Sequence, residues 1–99
     1  MAKLITTYWR DIPAQVVASE RREKAKILLT DRFAIAIDKA AMRADMAGGD
    51  AYLEQWRRET TKCSKDLQKE VDDAAKKLET VFTDERLAVL VRDKGLKSI

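Results

Sequence analysis

Two clusters hold the side chains best suited to recognition, TYWRDIP at Thr7 to Pro13 and AYLEQWRR at Ala51 to Arg58. Each sets tyrosine and tryptophan beside arginine, the combination that binding anchors and base-stacking sites use. Bond-making chemistry is poorly provided for. The chain has no histidine, which removes the commonest general base and the usual metal ligand. Its one cysteine, Cys63, falls at an apolar helical step and is expected in the core rather than as a nucleophile. Carboxylate pairs such as Asp66 and Glu70 lie among lysines on a wet face, where nothing would raise a pKa for acid–base work. Gly48, Gly49 and Gly95 build neither a dinucleotide-binding loop nor a P-loop. These residues predict a non-enzymatic protein without metal or cofactor.

The first cluster must be positioned by a strand. Leu4 to Trp9 alternates between Ile5, Thr7 and Trp9 on one face and Leu4, Thr6 and Tyr8 on the other. If Trp9 enters the core, Arg10 faces water, and Asp11 can pair with it or open a turn. Pro13 has no N–H for a ladder and marks a turn, a strand's first residue or an edge. A second strand is predicted over Ala14 to Ala18. The polar link Ser19 to Glu23 leads to a third over Lys24 to Leu29, with Ala25, Ile27 and Leu29 on one face. Short links favour antiparallel neighbours.

At Thr30 the apolar period lengthens to that of a helix. Thr30 is a suitable N-cap and Asp31 suits the first turn, while Phe33, Ile37, Ala40, Ala41 and Ala44 form one stripe. Gly48-Gly49 is predicted to stop this helix and Asp50 to cap the next. From Leu53 the steps through Trp56, Thr60, Cys63, Leu67, Val71, Ala74, Leu78 and Val81 predict a long amphipathic helix, with a weak point near Thr60 to Ser64. That reading packs Leu53 and Trp56 into the core with Tyr52 at the rim. Thr83 caps a last helix bearing Leu87, Leu90 and Val91, ended by Gly95, with a fraying tail from Leu96 to Ile99. The predicted fold is a single α+β domain over 1–99. An N-terminal three-stranded antiparallel meander (1–30) is followed by three or four helices packed on one face (31–99).

The chain's 99 residues suffice for one core, and its charged fraction of 37% implies densely charged outer surfaces. No apolar run is long enough to span a membrane and the start has no signal-peptide pattern, so a cytoplasmic protein is expected. The lone cysteine agrees with a reducing compartment. The whole net charge of +3 resides in the first thirty residues, where Lys3, Arg10, Arg21, Arg22, Lys24 and Lys26 outnumber Asp11, Glu20 and Glu23. This excess reads first as a solvated hairpin tip. A second reading is weak nucleic-acid binding by Arg21, Arg22, Lys24 and Lys26.

Four blocks carry a resemblance: YWRDIPAQV at Tyr8 to Val16, ILLTDRFAIAIDKAAMRA at Ile27 to Ala44, DAYLEQWRR at Asp50 to Arg58, and DERLAVLV at Asp84 to Val91. Together, in this order, they resemble the small virulence factor domain family of bacterial proteins. Thr60 to Thr80 lies outside the blocks. The resemblance implies a compact domain that occurs alone or appended to scaffold-type and HEAT-repeat regions, with no catalytic residues to carry over. It also implies the company of one-carbon or corrinoid methyl-transfer proteins, hence the further alternative of a small subunit in such an enzyme system. The leading expectation is an accessory or adaptor protein that holds a protein partner through Tyr8 to Ala14 and Tyr52 to Arg58. Arg10, Asp11, Tyr52, Arg57 and Arg58 would make the contacts, and Ile12 and Pro13 would shape the turn. Self-association through a sheet edge or the long helix is a further option.

Overall fold

Two tight hairpins open the chain. The computed structural model describes residues 2–46 and 49–96. Strands β1 (Lys3–Trp9), β2 (Ile12–Glu20) and β3 (Glu23–Leu28) form the expected antiparallel meander. They are joined by the two-residue turns Arg10-Asp11 and Arg21-Arg22. Such turns follow the strand twist only with positive φ at a central residue, and Arg10 and Arg21 both adopt φ 54°. β2 is longer at both ends than the sequence indicates and includes Pro13. The register shifts between Thr7 and Tyr8, opposite Pro13 and Gln15, and β3 pairs with β2 only from Gln15 onward. Pro13 therefore has no β3 partner to which an N–H would be owed.

The meander gains a fourth strand, β4 (Trp56–Lys62), antiparallel to β1, giving the order β3-β2-β1-β4. This corrects both the three-strand count and the long helix predicted from Leu53, so 31–99 is not wholly helical. The free edge of β1 needs partners for its N–H and C=O groups, and β-branched Thr60 and Thr61 suit a strand. The helical steps through Trp56 and Thr60 were coincidence: Thr60 is exposed and Leu53 is 65% exposed, so neither enters a core stripe.

The helices are α1 (Asp31–Arg43), α2 (Asp50–Glu54), α3 (Leu67–Val81) and α4 (Asp84–Arg92). α3 lies against β2 and β3, and α1 packs on α4 and on β2. Phe33, Ile37, Ala40 and Ala41 of α1, Val71 and Ala75 of α3, and Leu87 and Leu90 of α4 share one core with Val16 and Ala18 of the sheet. Asp66 caps α3 by accepting from the Lys69 N–H, and Thr83 caps α4 by accepting from the Arg86 N–H, as expected of Thr83.

Two helix ends differ from the prediction. α1 stops at Arg43, and Asp45 takes the left-handed conformation (φ 59°) while Met46 N–H reaches back to the Ala41 carbonyl (2.9 Å). A Schellman closure is thus made by aspartate. Gly48 lies outside the described residues, and Gly49 is the N-cap of α2, making Asp50 its first residue rather than its cap. α4 ends in the same closure, with Lys94 at φ 63° followed by Gly95 at φ 85°; of the tail predicted to fray, 97–99 lie outside the described residues.

Thr30 occupies the N-cap position of α1 without capping it. Its N–H and hydroxyl both donate to the Glu79 carboxylate of α3, at 2.8 and 2.9 Å. Arg32 adds an ion pair to Glu79 (2.9 Å) and donates to the Glu79 and Phe82 carbonyls. Burial would raise the Glu79 pKa. The bonds from Thr30 and the Arg32 guanidinium outweigh burial, and the carboxyl is held below its usual range.

Candidate functional site

The TYWRD cluster is divided by the sheet. Trp9 is fully buried, stacked on Tyr52 with centroids 5.7 Å apart, and its indole N–H donates to the Tyr52 carbonyl (2.9 Å). Ile12 and Pro13 are also fully buried and form the inner part of the hairpin. Arg10 is half-buried and turned inward. It donates to the Lys94 carbonyl (2.8 Å), to Gln55 Oε1 (3.2 Å) and to Met46 Sδ (3.2 Å), with its guanidinium 5.3 Å from the Trp9 ring. Asp11 lies in the β1–β2 turn, one of the two roles expected of it, and pairs with Arg57 of β4 (3.1 Å). The positive φ of Arg10 sends its side chain toward the end of α4 and leaves Asp11 beside β4.

The second cluster is divided as well. Tyr52 meets Trp56 edge to face, at 6.0 Å and 89°. Both rings are half-buried and pack against the core beside Trp9, as expected of Trp56 with Tyr52 at the rim, whereas Leu53 is exposed and takes no part. Burial, with Asp38 nearby, raises the Tyr52 pKa. Arg57 and Arg58 are neighbours on a strand and so point to opposite faces of the sheet. Arg21 and Arg22 form the β2–β3 turn, flanked by the paired Glu20 and Glu23, while Lys24 and Lys26 lie further along β3.

What the structure does bring together is a cleft of about 380 Å³ between the sheet and α4. It is lined by Tyr8, Asp11, Arg57 and Glu59 on one side and by Phe82, Arg86, Val89 and Leu90 on the other. Arg57 lies over the Tyr8 ring (4.4 Å) and is ion-paired to Asp11 and Glu59. Burial would lower its pKa, but those two carboxylates prevail and raise it. Tyr8 is raised by burial and by Glu59, so its phenol stays protonated and remains a donor. Arg86 lies over Phe82 (4.8 Å), is exposed, and among the described residues has no ion pair. The cleft therefore offers two arginines held over rings, one neutralised and one not, above an apolar floor.

Glu59, Phe82, Arg86, Val89 and Leu90 are absent from the sequence-derived candidates. Phe82 and Arg86 stand four residues apart, a spacing that marks an aromatic–cation contact across a helix start. Glu59 carries no such signal, because it joins the cleft only through the pairing of β4 with β1. Cys63 is half-buried against the core, and burial with nearby Glu70 and Glu20 raises its pKa, keeping the thiol protonated. Among the described residues no group of histidine, cysteine or carboxylate side chains could hold a metal ion, and no helix is long and apolar enough to cross a membrane.

A family model described as "Virulence factor" matches residues 7–91. No curated protein and no solved structure matches the chain.

Proposed function

The chain belongs to the virulence factor family, and we propose that it acts there as a non-enzymatic cytoplasmic accessory protein that holds a protein partner in the cleft between β1 and α4. The carrying observation is Arg86, an exposed cation without an ion pair among the described residues, beside Arg57 and above Phe82, Val89 and Leu90. A guanidinium fixed over a ring loses little freedom when it takes a carboxylate. The apolar floor supplies the area that makes such a contact an anchor. The cleft suits a segment with an acidic side chain next to a branched or aromatic one. Asp11 supports this by orienting Arg57, and Tyr8 adds a hydroxyl donor. Arg10 contributes from beneath, since its carbonyl accepts from Arg57 Nε (2.8 Å).

The test is affinity capture from native cells with the wild-type chain and with an Arg57→Ala/Arg86→Ala double variant whose melting has been checked. The expected result is a partner recovered by the wild type and lost by the variant, and an acidic-apolar peptide from it that binds with the same dependence. Equal recovery by both chains would overturn the reading.

A further inference from the structure

The sheet has a second face, opposite the cleft and α3, whose Trp9 and Leu28 end is bordered by α1 and α2. The pairing register sets three rows across the four strands there. The first is Lys24, Ser19, Lys3 and Lys62. The second is Lys26, Val17, Ile5 and Thr60, and the third Leu28, Gln15, Thr7 and Arg58. None of these residues is buried, whereas Val16 and Ala18 on the other side are fully so.

The rows hold five cations and no carboxylate, in a chain with 17 Asp and Glu. Two cations stand on each edge strand, Lys24 and Lys26 on β3, Arg58 and Lys62 on β4, and Lys3 stands between them at one end. Among the described residues none of the five makes an ion pair. The middle is neutral, with hydrogen-bonding Thr7 and Gln15 beside Ile5 and Val17. At the far end Thr7, Gln15 and Leu28 of the third row share a cavity of about 420 Å³ with Trp56, Tyr52, Asp31 and Asp38. Those carboxylates repel phosphates there and leave the rings to uncharged groups.

We propose that this face binds single-stranded nucleic acid. Three strand spacings make it about 14 Å wide, room for a strand that enters over the β3 lysines, crosses the neutral middle and leaves over Arg58 and Lys62. Cations that can track a phosphate backbone, with aromatic rings at the border, are features that sequence-tolerant single-strand sites use. A duplex cannot lay its bases on the middle, and an acidic protein segment would use the rims alone. The proposal is independent of the cleft, which lies on the opposite side.

The test is fluorescence anisotropy with a labelled oligo-dT of about 16 nucleotides, titrated from about 50 to 200 mM salt. Neutralising four or five phosphates predicts a log–log salt slope near −3, an affinity loss of about a hundredfold over that range. Lys26→Gln/Arg58→Gln should make the slope shallower by about 1.4, while Lys76→Gln/Lys77→Gln on the solvent side of α3 should leave it unchanged. Should the first variant melt early, Lys3→Gln/Lys62→Gln carries the same prediction. No binding at low salt, or an equal effect of the α3 variant, overturns the proposal. So does displacement of the oligonucleotide by polyglutamate at equal charge, which would assign the face to an acidic protein.

Discussion

Arg10 sits at a backbone conformation that glycine adopts more easily, yet its side chain and backbone link the β1–β2 turn to Lys94, Gln55 and Arg57. Those bonds offset a left-handed penalty of about 1 kcal/mol. Arg10→Ala should destabilise by about 1–2 kcal/mol. Arg10→Gly, free of the φ penalty, should lie about 1 kcal/mol above the alanine variant in urea denaturation. The sequence singled out Arg10 through its neighbours but gave no sign of a partner 84 residues away. Glu79 is the second residue with a measurable signature. Its folded pKa is depressed, so its contribution is full above the usual carboxylate pKa and is lost as pH falls through the folded value. Stability measured from about pH 5 downward should fall more steeply for the wild type than for Glu79→Gln. Identical acid limbs would show that the Thr30–Arg32–Glu79 contact carries no linkage.

Elements were legible where local rules act alone. Alternation fixed β1 and β3, the Thr83 cap and its apolar steps fixed α4, and Phe33 to Ala41 gave the buried face of α1. β4 was hidden because an exposed edge strand has no buried alternation to show, and its identity comes from pairing with β1. The cleft was hidden with it, since Arg57 and Glu59 reach α4 only when that segment is extended. Gly95 is marked by its type as a helix stop, and it does follow the left-handed Lys94. Its missing side chain has a second use: a Cβ there would lie 2.7 Å from Trp9 Cζ3. Gly95→Ala should therefore cost about 2–3 kcal/mol, seen as a lower urea midpoint together with altered near-ultraviolet dichroism of Trp9.

For the whole molecule, the basic first third was visible as composition, but its sorting was not. Folding turns Arg10 inward, leaves Arg21 and Arg22 at a turn, and gathers Lys3, Lys24 and Lys26 with Arg58 and Lys62 on one face. Sheet and helices share one core, and the first hairpin is tied to the last helix end. Unfolding followed by far-ultraviolet dichroism and by tryptophan fluorescence should therefore give coincident transitions. Separate transitions would mean that the helices melt apart from the sheet. The bond from Arg10 to the Lys94 carbonyl, with Asp11 N–H to the Gly95 carbonyl at 2.9 Å, also has a kinetic meaning. That span of 84 residues is the longest closed by a hydrogen bond among the described residues, so the contact should form after the folding barrier is crossed. It then acts as a latch on the native state: Arg10→Ala should leave the refolding rate nearly unchanged and speed unfolding about tenfold, shortening the lifetime of the folded protein rather than slowing its formation.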